Sequence, residues 1–284
     1  NTLNLVSLDA MDIEGFRILT STYPPEFGRM SGAQISVITR FGSNEFHGSV
    51  FEYFRHEVMD ANDWFANRRG LPRPASRLND FGGVLGGPVI RNNTFFFFST
   101  EMVRLRQPQV AVTEVPSLRA RQNAPATIKP FLNAFPLPNG PERNVVVAEF
   151  AASYSDPARL NATSIRIDVV TSERLALFGR FNYAPSNIIQ RGTRILPGLS
   201  VQPVVNPNLT QSLNVLTRAD VNTVTITGGG FFAFGRRSIN ELRANWSRAS
   251  GATSFTLDDF GGAQALPVSR IFPPAIVSED AGFQ

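Results

Sequence analysis

Few residues in this chain combine the types and spacings that metal or thiol chemistry requires. The sequence contains no cysteine, which excludes thiol catalysis, zinc–thiolate sites and disulfide bonds. Its two histidines are His47 and His56, and their separation matches no short metal-ligand spacing. We therefore expect no metal site, and we interpret His47 as a polar residue at a strand end and His56 as a loop residue.

Several short motifs approximate enzyme signatures but lack the surroundings that those enzymes need. Gly28-Arg29-Met30-Ser31-Gly32 has its serine one position too late for a nucleophile elbow. Asp80-Phe81-Gly82 and Asp259-Phe260-Gly261 spell the kinase magnesium motif, yet no His-Arg-Asp loop accompanies them. Residues 228–233 approximate a dinucleotide fingerprint, but no helical pattern follows, which favours a glycine-rich strand. The sequence therefore predicts no catalytic residue, no cofactor and no enzymatic activity.

Composition is compatible with a packed protein and gives no sign of a membrane-spanning helix. The chain has 284 residues, of which 42% are hydrophobic and 18% charged, and no apolar run reaches the ~18 residues that a spanning helix needs. A mean hydropathy of −0.08 is also what a transmembrane barrel shows, because its strands alternate apolar and polar residues. The net charge of +4 comes from scattered arginines, which argues against a nucleic-acid partner.

One β-hairpin is marked most clearly by alternating polarity. Its first strand, at 164–170, places Ile167 on one side and Arg166 on the other. After a short turn, the second strand places Arg180 on its polar side, where Phe178 is the one large apolar exception. A two-residue period on both arms predicts paired strands with one apolar and one polar face.

Two further hairpins follow from the same pattern. One spans about 80–106 and the other about 221–249, and each has a short connection between its arms. The run Phe95-Phe96-Phe97-Phe98 breaks the alternation and puts aromatic rings on both faces near a strand end. Such rings are typical of the aromatic girdle of a membrane barrel.

Short and long connections alternate along the chain. The short ones lie near 91–93, 171–173 and 234–237, and the long ones near 58–78, 107–162, 186–220 and 250–284. Because up-and-down strands place successive connections at opposite ends, one rim would carry only turns and the other only long loops. Outer-membrane barrels have this asymmetry, whereas loops of such length are rare in compact soluble domains. We therefore favour a membrane barrel over a soluble sandwich.

The first forty-five residues differ from this series. Two strands are predicted at 13–20 and 34–40, separated by a proline-containing loop, and a second loop at 41–45 precedes the first strand of the long series at 46–56. The sequence therefore predicts a domain boundary near Ser43, with one domain at 1–45 and another at 46–284.

The residues around this boundary resemble a known family. The segments at 26–29, 31–40 and 42–49 are similar to the plug-to-barrel junction of TonB-dependent outer-membrane receptors, and to the Oar-like branch in particular. The segments at 79–83, 85–90 and 94–101 resemble the first barrel hairpin of that branch, and 239–243 and 257–262 also fit it. The motif residues are Phe27, Gly28, Arg29, Ser31, Gly32, Gly48, Gly82, Gly83, Gly86, Gly87 and Pro88.

The resemblance implies a fold and a role. Residues 1–45 would be the C-terminal part of a plug domain, and 46–284 the N-terminal part of an antiparallel transmembrane β-barrel with about seven of the family's ~22 strands. The chain is thus expected to be a fragment that lacks the segment contacting the TonB energy-transducing complex. The implied function is energised uptake of a bulky ligand, such as a siderophore or an oligosaccharide. Alternatives are an Oar-like secretion or adhesion barrel and a soluble β-rich carbohydrate-active enzyme.

The polar stripe of the strands would then face the lumen and contact the plug. Each charge that faced lipid instead would cost about 2–4 kcal/mol at mid-bilayer. The residues expected in the lumen are Arg166, Asp168, Arg180, Glu241 and Arg243.

Two residue groups in the predicted loops leave a binding role open. Asp258-Asp259 could hold calcium or act as an acid–base pair, but neighbouring strand residues point opposite ways, which favours a solvated loop. Trp64-Phe65 and Arg68-Arg69 lie in the first long loop, where they could bind a ligand or anchor the loop at the membrane interface.

Overall fold

The fold consists of two antiparallel sheets. A computed structural model describes residues 13–19, 34–39, 41–192, 212–235 and 238–266. β1 (Ile13–Leu19) and β2 (Gln34–Thr39) form a separate two-stranded sheet, paired from Ile13 opposite Thr39 to Leu19 opposite Gln34, with a bulge between Ile13 and Gly15. The remaining strands form a seven-stranded sheet.

The larger sheet is a meander in which each strand pairs with the next along the chain. Its strands are β3 (His47–His56), β4 (Arg77–Ile90), β5 (Thr94–Pro116), β6 (Val147–Ser172), β7 (Leu175–Arg191), β8 (Val215–Phe234) and β9 (Ser238–Leu257). As described, it does not close into a barrel, since β3 and β9 are its two edges. The predicted all-β, up-and-down partial barrel is confirmed.

The predicted alternation of connections is confirmed, but several strands are longer than the sequence suggested. Short turns join β4 to β5, β6 to β7 and β8 to β9, while the other connections are long. Helices α1 (Trp64–Arg68), α2 (Leu118–Asn123) and α3 (Lys129–Asn133) lie in two of the long connections. The expected loop at 107–162 is wrong at both ends, because β5 and β6 stay paired from Thr94 opposite Val169 to Pro116 opposite Val147.

One face of the sheet is apolar and the other polar, as alternation predicted. In contrast to a soluble protein, the apolar side chains are the exposed ones and several polar side chains are buried. We call the two faces the Arg166 face and the Ile167 face, after adjacent residues of β6. Ile165 and Ile167 are 43% and 46% exposed, whereas Ser164 and Arg180 on the Arg166 face are only 4% and 8% exposed. A soluble sandwich would bury the apolar row against a second layer. Here that row is open to the surroundings.

The apolar belt is a band of large side chains on the Ile167 face. Its residues, in strands β5 to β9, are Phe96, Phe98, Met102, Ile165, Ile167, Val169, Leu175, Leu177, Phe181, Tyr183, Val224, Ile226, Leu242 and Trp246. On β7 it extends from Leu175 to Tyr183, which is about 26 Å along the strand at ~3.3 Å per residue. A tilted strand therefore gives a band close to the ~25 Å apolar height of an outer-membrane barrel.

Beyond the belt, toward the long connections, apolar residues change faces. Leu160, Ala162 and Ala184 form a buried cluster on the Arg166 face. Val115, Phe150 and Leu213 form a second cluster further along, packed by Ala111, Ala152, Tyr154 and Phe260. At the same level the Ile167 face carries arginine, asparagine and aspartate, from Arg104 and Arg159 on β5 and β6 to Asp220 on β8. Water or polar headgroups, and not hydrocarbon, suit the Ile167 face above this level.

An ion pair ties three loops together at this rim. The Arg191 guanidinium donates to both oxygens of Asp258, at 2.9 and 2.7 Å, and to the Leu213 carbonyl at 2.9 Å. Its carbon Cζ lies 4.0 Å from the centre of the Phe260 ring. The buried Asn214 amide donates to the Ala134 carbonyl at 2.6 Å, which brings the β5–β6 loop into the same cluster. We call this cluster the loop hub.

Gly261 holds a bend in the hub that other residues would strain. Its φ is +66°, and an added Cβ would lie 2.5 Å from Cζ of Phe150 and 2.9 Å from Cβ of Pro136. Its carbonyl accepts from Leu137 N–H at 2.8 Å, which joins the segment after β9 to the segment after α3. The glycine thus permits both the turn and the close packing of two loops.

Asp156 makes the hub sensitive to pH. Its carboxylate accepts from Arg191 N–H at 3.1 Å, and burial raises its pKa from the ordinary 3.8 to about 6, despite the nearby Arg191 charge. Because the folded pKa exceeds the unfolded one, the folded rim binds the extra proton. Its stability should therefore be greatest below about pH 4 and should fall as the pH rises through about 6.

We expect Asp156→Asn to remove this dependence. Amide hydrogen exchange at residues 188–191, corrected for intrinsic rates, should show protection declining from pH 4 to pH 7 in the native protein and nearly constant protection in the variant. Glu173→Gln, in an exposed turn at the opposite rim, is the control and should keep the native decline. An identical decline in the Asp156 variant would assign the titration to another group.

Candidate functional site

Paired charges form a row on the Arg166 face, near the short turns. Arg166 and Asp168 lie two residues apart on β6, so their side chains project to the same side of the sheet. The Arg166 guanidinium donates to the two carboxylate oxygens at 2.7 and 2.9 Å. Arg243 on β9 donates to one carboxylate oxygen of Glu241, two residues away, at 2.6 Å. Each pair is a fixed unit that carries its own counter-charge.

Phe178 links these two ion pairs across the sheet. Its ring centre lies 4.8 Å from the guanidinium carbon of Arg166 and 5.6 Å from that of Arg243. Cationic groups at such distances are attracted to the electron-rich face of an aromatic ring. The register places Phe178 opposite Gly229, and Gly229 opposite Arg243. Arg243 therefore reaches the ring across a position on β8 that has no side chain.

Gly229 is required for this contact. A Cβ at this position would lie 2.6 Å from Cε1 of Phe178 and 2.7 Å from the Leu242 carbonyl oxygen. The exception that Phe178 made to the polar pattern is thereby explained, since it is the bridge between two arginines. Sequence alternation alone misses this bridge, because it depends on the register of three strands. The glycine run at 228–230 is the one signal that points to a close approach.

Arg180 is the most buried charge of the row. It lies opposite Arg166 on the neighbouring strand, and its Nε donates to the Ser164 hydroxyl at 3.1 Å and to Asn182 Oδ1 at 3.0 Å. The Asp168 carboxylate on Arg166 reduces the repulsion between the two guanidinium groups. All five residues expected in the lumen therefore lie on one face.

The segment that precedes β3 reaches the sheet on this same face. The Phe41 ring centre lies 5.9 Å from the Arg166 guanidinium carbon. A Cβ on Gly42 would lie 2.4 Å from the Phe96 carbonyl oxygen and 2.9 Å from Cβ of Phe95, so the backbone there lies directly on the sheet. Asn44 exchanges two hydrogen bonds with Asn92 in the β4–β5 turn, at 2.8 and 2.7 Å. The chain thus enters the sheet at the short-turn rim.

The apolar belt and the paired charges both lie within a region that matches a known protein family. A family model described as an outer membrane beta barrel domain matches residues 38–282. The chain belongs to this outer-membrane β-barrel family. It is accordingly a protein of the bacterial outer membrane, so the alternative of a soluble protein is wrong. Among the described residues, no helix has the length and apolar character needed to cross a membrane.

Two individual proteins are similar to this outer-membrane chain. The TonB-dependent transporter Oar of Myxococcus xanthus is 35% identical over 99 residues, which are 34% of this chain and 9% of that protein. The siderophore receptor PirA of Acinetobacter baumannii gives a TM-score of 0.40 at 12% identity, with 86% of this chain and 31% of that structure covered. The chain therefore matches less than a third of either protein. The predicted resemblance to TonB-dependent receptors is confirmed, and so is the predicted location in the outer membrane.

The family motif divides between described and undescribed residues. Phe27, Gly28, Arg29, Ser31 and Gly32 lie outside the described residues. The others lie on β3 and β4, with Gly82, Gly86 and Pro88 on the Arg166 face and Gly48, Gly83 and Gly87 on the Ile167 face. Aromatic rings cover two of these glycines, because Cβ atoms at 82 and 87 would lie 2.9 and 2.4 Å from the rings of Phe51 and Phe46.

Two sequence interpretations are corrected. Asp258 and Asp259 lie in the loop after β9 and Asp259 is exposed, as expected, but the Asp258 carboxylate binds Arg191 in the loop hub, which sequence did not predict. His56 is not a loop residue, since it ends β3 and its Nδ1 accepts from Val58 N–H at 3.2 Å. His47 begins β3, as expected. Within the described part of the chain, no group of three or more histidine, aspartate or glutamate residues could hold a metal ion.

The aromatic pair in the first long loop lies on the Ile167 side of the sheet. Loop carbonyls of Pro72 and Ala75 accept from the hydroxyls of Ser153 and Ser155, which project from that face of β6. Trp64 is 61% exposed and lies 5.3 Å from the Arg68 guanidinium carbon. This position is away from the Arg166 row, which favours anchoring near the membrane surface over a lumenal binding site.

We expect Gly229→Ala to destabilise the sheet where Gly228→Ala does not. The methyl group added at position 229 would overlap Phe178 and the Leu242 carbonyl, at a cost of about 1–3 kcal/mol for overpacking. At Gly228 the nearest atom would be 3.7 Å away, an ordinary contact. The measurement is the fraction of outer-membrane protein in the folded, heat-modifiable form on semi-native electrophoresis. Equal folded fractions for the two variants would contradict the packing that we describe.

Proposed function

We propose that this chain forms the end of a plug and the first part of the barrel wall of an energised outer-membrane receptor. Residues 1–45 belong to the plug and 46–284 to the barrel. The Arg166 face lines the lumen, and the Ile167 face meets lipid. The observation that carries this proposal is the entry of the chain at Phe41 on the Arg166 face, together with the open apolar belt on the other face.

Charge supports this assignment of the two faces. If the Ile167 face lined the lumen, the arginines and carboxylates of the Arg166 row would face hydrocarbon. Each charge would cost about 2–4 kcal/mol at mid-bilayer, and the large belt side chains would face water. The reverse orientation places the whole Arg166 row in the lumen, although Glu52 on β3 and Arg248 on β9 still lie on the Ile167 face. Arg166, Asp168, Arg180, Glu241 and Arg243 would then contact the plug or water within the lumen.

The rims follow from the same assignment. Outer-membrane barrels place short turns in the periplasm and long loops outside the cell. The β4–β5, β6–β7 and β8–β9 turns are therefore periplasmic, and the loop hub is extracellular. A plug segment that joins the sheet beside the β4–β5 turn enters from the periplasmic side. This direction suits a plug that an inner-membrane partner must reach.

The proposed activity is uptake of a bulky ligand, such as a siderophore or an oligosaccharide, driven by the TonB complex. Support comes from the partial match to a protein named as a TonB-dependent transporter and from the plug-to-barrel motif. Cells that carry the protein should accumulate a labelled ligand only when the energy-transducing complex is intact. If the ligand accumulates equally in cells with and without that complex, the result would favour a passive pore. Secreted or surface-adhesive material that disappears on deletion, with uptake unchanged, would favour the secretion or adhesion alternative.

Placing arginine on the Ile167 face should impair insertion, whereas placing it on the Arg166 face should not. Ile167→Arg and Ile226→Arg would each put a charge into lipid, at a cost of about 2–4 kcal/mol. Thr225→Arg is the matched control, because Thr225 directly precedes Ile226 on β8 and faces the lumen. Quantitative immunoblots of outer-membrane fractions should show reduced folded protein for the first two variants and near-native levels for the third. Normal levels of Ile226→Arg would contradict the assignment of faces.

A further inference from the structure

Four arginines cluster on the Ile167 face immediately above the apolar belt, on the side of the long loops. They are Arg77 on β4, Arg104 and Arg106 on β5, and Arg159 on β6. The register sets them directly opposite one another in two pairs, Arg77 with Arg106 and Arg104 with Arg159. Like charges in directly opposed positions on adjacent strands destabilise a sheet. The arrangement therefore calls for a compensating negative charge.

The described residues supply that charge to only one of the four. Glu57 binds Arg77 through two bonds of 2.9 and 3.1 Å, and this guanidinium lowers the pKa of Glu57 to about 2. Arg104 donates to neutral groups, namely Asn161 Oδ1 at 2.6 Å and the carbonyls of Leu160 and Val103 at 3.0 and 2.9 Å. Arg106 and Arg159 are exposed and form no ion pair with any residue that the structure describes.

The neighbouring strands show how the same face handles a compensated arginine. Arg218 on β8 lies on the Ile167 face beyond the belt and donates to Asp220, two residues away, at 2.8 Å. That bond holds the pKa of Asp220 below its ordinary value. In the row of Arg104 and Arg159, the next carboxylate is Asp220 itself, two strands from Arg159, and it is already committed to Arg218. At this level of the Ile167 face, the excess positive charge thus lies on β5 and β6.

The position of these arginines indicates what their partner is. Arg104 is the next residue on its face after Met102 of the belt, and Arg159 follows Asn161. Both therefore project where the hydrocarbon ends and headgroups begin, on the outer side of the wall. An anion at this level that is also attached to acyl chains could bind the arginines and the belt together. A free anion would gain only the first contact.

We propose that Arg104, Arg106 and Arg159 bind the phosphate groups of a phosphorylated glycolipid in the outer leaflet. Guanidinium groups match phosphate oxygens with two parallel hydrogen bonds, so exposed arginines at this level suit a phosphate. Bridging phosphates would remove the repulsion between the opposed arginines, while the acyl chains lie against the belt. The lipid would brace the two longest strands of the sheet where they leave the membrane. This inference rests on the proposed orientation of the Ile167 face toward lipid.

The test measures binding of diphosphorylated lipid A to the protein purified from outer membranes in detergent micelles. Native mass spectrometry titrations should give a Kd for lipid A that is about tenfold or more higher for the double variant Arg106→Gln/Arg159→Gln than for the native protein. The reason is that the variant loses two charge-assisted contacts with phosphate, which together account for a loss of affinity of this size. Arg218→Gln, an outward-facing arginine that has its own carboxylate, is the control and should bind as the native protein does. Lipid A without phosphates should bind native protein as weakly as the double variant binds the intact lipid. Inorganic phosphate at the same concentration should not compete, which distinguishes a lipid headgroup from a free anion.

A second measurement separates failure of this inference from failure of the proposed orientation. The chain has no cysteine, so Arg106→Cys introduces one labelling site into these 284 residues for a fluorescent label. Quenching of that label by a lipid-phase quencher in bilayers would confirm that position 106 faces the membrane. If the lipid-phase quencher reaches the label but the double variant binds lipid A as tightly as the native protein, the phosphate site is wrong and the proposed orientation still holds. A label that only water-soluble quenchers reach through the lumen would overturn the orientation and the site together.

Discussion

Continuous backbone pairing between neighbouring strands is the constraint on which the rest of this structure depends. In a bilayer, an unpaired N–H or C=O group costs several kcal/mol, so each strand must be bonded along its whole length within the membrane. The unbroken register of β5 with β6, from Thr94 to Pro116, meets this demand and extends beyond it. Because pairing fixes which side chains share a face, it also determines the belt, the row of paired charges and the arginine cluster. No other contact among the described residues has such wide consequences.

The apolar residues change from the Ile167 face to the Arg166 face along the strands. This change indicates that the sheet passes from a hydrocarbon environment into an aqueous one. On β5 to β8 below Arg104, the large side chains of the Ile167 face are apolar, whereas the Arg166 face carries charged side chains. Above it, buried clusters around Leu160 and Phe150 lie on the Arg166 face, where the loops pack. A strand that crossed only water would have no reason to change at one level across β5, β6 and β8. The level of the change therefore marks the edge of the hydrocarbon region more directly than hydropathy does, since hydropathy averages over both faces of a strand.

Sequence alone predicted what depends on nearest neighbours and missed what depends on register. The faces of β6 and β7 were predictable, because alternation is a property of each strand. The bridge from Arg166 through Phe178 to Arg243 was not, since it needs Gly229 to stand between two side chains on different strands. The bond between Arg191 and Asp258 joins residues 67 positions apart, so no local pattern could reveal it. Alternation does not predict the extended ends of β5 and β6, because Pro157 and nearby serines interrupt the apolar period there.

If the Arg166 face lines the lumen, as we propose, its self-paired charges have a further consequence for a moving plug. Arg166 and Arg243 each carry a carboxylate partner from their own strand, so neither needs a counter-charge from the plug. Solvated contacts between such pairs and a plug are worth about 0–1 kcal/mol each, far less than buried apolar packing of the same area. Phe41 touches Arg166 through one ring face alone. On the orientation that we propose, the self-paired charges thus add little to the affinity of the wall for the plug, so a modest applied force displaces a plug segment from them.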